Sequence, residues 1–165
     1  MKTSLFVILL IIGIGHVQGK FHQVRPELRD LLPKNMLKFM DSFTPEDEKL
    51  FEETDDSGGL SEYLKRVGAK NPKLAQRGSV IVKDIVTRMA ALDQTTSDFV
   101  KTVMGALDRK LGKLNDQEVI ETAKVLLAGF DKLTLGRRSG LKAMFPSIHD
   151  TLLSDKFKEL AKGKL

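Results

Sequence analysis

Residues 96–130, TSDFVKTVMGALDRKLGKLNDQEVIETAKVLLAGF, decide the fold. In the first half Phe99, Val103, Leu107 and Leu111 recur every four residues, and Val100 and Met104 widen the stripe to the breadth of a core-facing helical surface. In the second half Asn115 precedes Glu118 by three residues, the spacing of a capping box, and Leu114 and Val119 stand where a hydrophobic staple would pack. Val119, Ile120, Ala123, Leu126, Leu127 and Phe130 then form the inner face. Two amphipathic helices, at about Thr96 to Leu111 and from Asn115 onward, therefore adjoin across a short connection.

The same grammar extends outward in both directions. Asn71-Pro72 opens a helix to about Leu92, with Leu74, Ile81, Ile85, Met89 and Leu92 at helical spacing. Upstream, Pro26 and Pro33 each suit a first helical position, which predicts short helices over Glu27 to Leu32 and Lys34 to Met40. Thr44 caps a third, with Pro45 at its first position and Asp47 as the reciprocal acid. Asp55-Asp56-Ser57-Gly58-Gly59 interrupts, and Leu60 to Val67 resumes. Downstream, Thr134 caps a helix ending near Phe145-Pro146, and Ser154 caps a last one through Phe157 and Leu160 to Gly163. No stretch reads as a strand, no repeat period is visible and no Ser/Pro-rich linker divides the chain. The expectation is all-α, a single compact domain of about nine or ten short and medium helices.

Residues 1–19 read as a secretory leader. Lys2 is the positive n-region, Leu5 to Ile14 the apolar h-region, and Val17 and Gly19 precede cleavage ahead of Lys20. Gly13, Gly15 and His16 stop the run short of the ~20 apolar residues a spanning helix needs. The expected domains are thus 1–19, signal peptide, and 20–165, helical, with a secreted product.

The chain has no cysteine. For an exported domain this removes the cystine-stapled helical carriers and phospholipases, together with thiol catalysis and iron–sulfur clusters. The formal charge is +5, with acids and bases interleaved, no Trp and one Tyr. That lacks the basic, aromatic-laced surface of a nucleic-acid binder, and leaves room for transient contact with anionic membrane surfaces.

Catalytic constellations are missing from the pattern. Past the leader, His22 lies near the new N-terminus and His149 stands alone, expected as a surface or helix-terminal residue. There is no G-x-S-x-G and no phosphate-cradling glycine loop. A calcium loop starting at Asp55 would place Leu60 where glycine is required. No enzyme activity, metal or cofactor is expected. Arg88 alone interrupts an apolar face, at i+7 from Ile81 and i+3 from Ile85. It reads either as a guanidinium meeting a carboxylate at a cavity mouth or as a snorkelling side chain paired with Asp84.

Two runs carry a resemblance. PELRDLLPKNMLKFMDSFTPEDEKLFEE, residues 26–53, and KAMFPSIHDTLLSDKFKELA, residues 142–161, resemble the beginning and end of the nematode fatty-acid- and retinol-binding proteins, and the three amphipathic helices between agree in order. In the second run Phe145-Pro146 is followed by a short helix. Asp55 to Gly59 departs from that family's more continuous helical character. The resemblance implies a non-enzymatic carrier of fatty acids and retinol, with an apolar ligand cavity enclosed by helices. On that reading Leu37, Phe39, Ile81, Ile85, Met89, Phe99, Val103, Leu107, Ala123, Leu127, Phe130 and Phe145 divide between packing and cavity lining, and Arg88 is the carboxylate candidate. A monomer is expected. The other classes the helices would serve are a secreted protein-interaction module and a membrane-active protein.

Overall fold

A computed structural model describes residues 25–54, 60–108 and 114–164. Expectations for the leader, for His22, for Asp55 to Gly59 and for Leu111 lie outside those residues.

Ten helices and no strand occur among the described residues. They are α1 Pro26–Arg29, α2 Lys34–Met40, α3 Pro45–Glu53, α4 Leu60–Lys70, α5 Pro72–Ala90, α6 Gln94–Asp108, α7 Asp116–Asp131, α8 Leu135–Met144, α9 Pro146–Leu153 and α10 Asp155–Ala161. The starts follow from side-chain caps. Thr44 and Asn115 each form a reciprocal capping box, with Asp47 and Glu118 respectively. Asn71, Thr134 and Ser154 accept from the backbone three residues on. Each bond satisfies an amide that the helix itself cannot.

Boundaries differ from expectation where a local donor or a proline intervenes. α1 stops at Arg29 rather than Leu32, because the residue before Pro33 is pushed out of helical geometry, and the chain tightens through Leu31 N–H to Leu28 O and Leu32 N–H to Arg29 O. Pro33 is the cap of α2, one place earlier than its expected first position. α4 runs three residues past Val67, its Gly68 lying close to Ala75 of α5. α6 begins at Gln94 rather than Thr96, because the Asp93 carboxylate accepts from the Thr95 and Thr96 amides and the Thr96 hydroxyl. Gly163 closes α10 with φ +84°, a left-handed geometry glycine adopts freely, and the Gly163 and Lys164 amides return to Leu160 O and Glu159 O.

The apolar faces meet in one core. The stripe of α6 is buried along its length, from Phe99 and Val100 through Val103 and Met104 to Leu107. α7 packs against α6, α9 and α10. α4 and α5 pack as a pair, and α2 lies on α5. A ring cluster fills the end built by α2, α3 and α4: Phe43 stacks on Phe51 at 4.9 Å, Phe39 meets Phe43 edge-on at 4.7 Å, and the Tyr63 hydroxyl donates to Phe51 O. Complete burial of a phenylalanine, as at Phe51, contributes about 1.5–3 kcal/mol, and the half-buried Phe39 and Phe43 contribute less.

Candidate functional site

Two grooves run along the seam where α1 and α2 face α8, α9 and α10. The first, of about 510 Å³, is walled by Leu32 and Leu37 on one side and Pro146, Phe157 and Leu160 on the other. The Thr151 hydroxyl donates to Asp30 O at 2.9 Å, and Lys156 approaches the Asp30 carboxylate at 3.9 Å, so both ties join its walls. The second, of about 350 Å³, lies between α2, Arg88 of α5 and the α8–α9 junction, with Met144, Phe145, Pro146 and Ile148 as its apolar surface. Phe145 makes that junction: it ends α8 and precedes α9 in one residue, at φ −132° and ψ 65°, and Pro146 starts the new helix. A third hollow, of about 330 Å³, lies between α6 and α7 and includes Glu118 and Glu121. Both larger volumes fall in the range that holds a small organic ligand.

The sequence-derived lining residues separate into three groups. Leu37 lines the first groove, and Phe145 and Arg88 line the second. Ile85, Met89, Phe99, Val103, Leu107, Ala123 and Phe130 are buried in the core, where α5, α6 and α7 bring them together. Phe39, Ile81 and Leu127 are half-buried and packed against that core.

Arg88 satisfies its packing reading and keeps a free edge. Nε donates to Asp84 Oδ2 at 2.8 Å, and Nη1 donates to Met144 O at 3.0 Å. Asn35 Nδ2 also donates to Asp84 Oδ2, at 2.6 Å, so α2, α5 and the end of α8 converge on this ion pair. Nη2 has no partner among the described residues, and the side chain is 37% exposed. Periodicity placed Arg88 on the apolar face. The partners from α2 and α8 had no local signal.

His149 corrects an expectation. It is 8% exposed, inside α9 rather than at a helix end, because α9 starts at Pro146 and turns Phe145, Ile148, His149 and Leu152 onto one inner face. Its ring meets Phe130 edge-on at 5.9 Å, and Nδ1 lies 2.8 Å from Asp150 Oδ1. Arg138 covers Phe130 at 4.5 Å. Among the described residues no group of three or more His, Cys, Asp or Glu could hold a metal ion, and no helix is long and apolar enough to cross a membrane.

Fold and grooves together define an all-helical domain whose recesses are apolar clefts between amphipathic helices, the build of a small-molecule-binding bundle. The family model described as Nematode fatty acid retinoid binding protein (Gp-FAR-1) matches residues 26–164, and the chain belongs to that family. The match takes in both runs that carried the resemblance, residues 26–53 and 142–161. No curated protein and no solved structure matches the chain.

Proposed function

We propose that this chain is a secreted, non-enzymatic carrier that holds fatty acids and retinoids between its helices and delivers or sequesters them. The observation that carries the reading is the first groove, whose wall is largely apolar and whose volume suits a long hydrocarbon, in a chain of a fatty-acid- and retinoid-binding family. Withdrawing a sixteen-carbon chain from water is worth on the order of 12 kcal/mol before the costs of ordering it, and half coverage in an open cleft about half of that. The groove thus supplies useful affinity without opening the core. A seat deeper between α5, α6 and α7 would require Ile85, Phe99, Val103, Ala123 and Phe130, now buried together, to part. Secretion rests on the leader at residues 1–19, and N-terminal sequencing of the exported protein should begin at Lys20.

Leu37 offers the cleanest test, because it is half-buried in the groove wall and its replacement leaves the core intact. Leu37→Asn should keep the helical spectrum and weaken binding of a fluorescent fatty acid on the order of tenfold, the equivalent of about 1.4 kcal/mol of lost apolar contact. Unchanged affinity would move the seat elsewhere. Wild-type protein that binds neither fatty acid nor retinol, and yields no lipid on extraction, would end the carrier reading.

A further inference from the structure

The two grooves meet at Lys34, Pro146 and Ser147, which line both. Charge differs across that junction. The first groove is mixed, with the carboxylates of Glu27, Asp30 and Asp150 beside the ammonium groups of Lys156 and Lys164. The second carries Lys34, Lys38 and Arg88, and its wall includes no acid.

These cations are unequal in their commitments. Lys34 and Lys38 stand one turn apart on α2, exposed, and neither makes an ion pair among the described residues. Arg88 is oriented by Asp84 and the Met144 carbonyl, with Nη2 left over. Asp84, the acid on α5 that meets Arg88, already accepts from Arg88 and Asn35 through one oxygen. The acids of the first groove are likewise engaged, Glu27 by Arg25, Asp30 by Lys156 and Asp150 by His149. A planar anion entering the seam therefore meets three cations and fixed guanidinium geometry at one end, and at the other a wall of mixed charge whose Lys156 and Lys164 are already paired with Asp30 and Glu159.

We infer that the seam binds long-chain carboxylates in one orientation, the hydrocarbon along Leu37 and Phe157 and the ionised head group at Lys34, Lys38 and Arg88. This rests on the carrier reading and adds to it a head-group contact and a direction. A fatty acid or retinoic acid uses both grooves. The corresponding alcohol uses the apolar one alone.

The test compares palmitic acid with hexadecanol, by equilibrium binding to the full secreted protein and to Lys34→Gln/Lys38→Gln, whose exposed side chains hold no structural bond. Wild type should prefer the acid, and the double variant should lose on the order of tenfold in acid affinity with a clearly smaller loss for the alcohol. Added salt should weaken acid binding to wild type more than to the variant. Equal losses for acid and alcohol, or no loss for the acid, would overturn the head-group assignment while leaving the carrier reading in place. Wild-type protein that binds neither ligand would overturn both.

Discussion

Replacing Gly129 by alanine measures how firmly α6 and α7 are locked. A Cβ at Gly129 would lie 3.0 Å from Phe99 Cε2 and 3.2 Å from Cδ2, inside the ~3.5–4.0 Å optimum for carbon contacts. The ring has little room to retreat. Phe99 is 7% exposed and its centroid is 6.3 Å from Phe130, which is itself held by Arg138 and His149. Two effects compete. Removing glycine from a helix interior gains about 1 kcal/mol, whereas forcing a methyl into a filled core costs about 1–3 kcal/mol. The expected balance is a loss of about 0–2 kcal/mol, or a Tm lowered by up to about 6 °C. Gly136→Ala is the reference, because a Cβ there meets nothing within 4 Å and the same exchange should leave stability equal or higher by about 0.5 kcal/mol. Thermal and urea unfolding of both variants by circular dichroism gives the comparison. Gly129→Ala more stable than wild type would refute the reasoning and show that this interface yields freely. Fatty-acid affinity in the same variant adds a second reading: a ligand in the α1–α2 groove leaves it unchanged, whereas one seated between Phe99 and Phe130 would lose affinity to the added methyl.

Asn115→Ala removes the cap that receives the Glu118 amide, and should lower stability by about 1 kcal/mol in urea unfolding while sparing fatty-acid affinity; an unchanged midpoint would mean that water replaces the cap at no cost. The Arg25 guanidinium, bonded to Glu27, holds that carboxyl below its ordinary value near 4.5. Because the folded pKa is depressed, the tie contributes fully above about pH 4.5 and is lost as pH falls through the lower folded value. Glu27→Gln should therefore flatten the acid limb of stability against pH below that point, and identical limbs in variant and wild type would contradict it.

The helices were legible because their signals are local. Thr44 with Asp47 and Asn115 with Glu118 are pairs three residues apart, and the four-residue stripe from Phe99 to Leu107 repeats on one face whatever packs against it. Asp93 gives no such signal as a cap, because Gln94 and Thr95 carry no apolar periodicity and the pattern starts later than the hydrogen bonds do. The burial of His149 depends on the α9 register, which Phe145 and Pro146 set by ending one helix and beginning another in consecutive residues, and which no local periodicity around His149 reveals.

The site was legible in composition and illegible in location. Periodicity identifies an inward-facing residue but says the same of Val103, which packs in the core, and Leu37, which walls a groove. Local sequence alone determined that this chain makes amphipathic helices, with no strand among the described residues and no cysteine for a disulfide, since those features depend on neighbours a turn away and on residue inventory. Only the tertiary structure decided that Lys34 and Lys38 of α2 share a cleft with Arg88 of α5 and Phe145 at the α8–α9 junction. Those residues come from separate helices, and what unites them is the way finite apolar faces leave a seam where α2 cannot close completely against its neighbours.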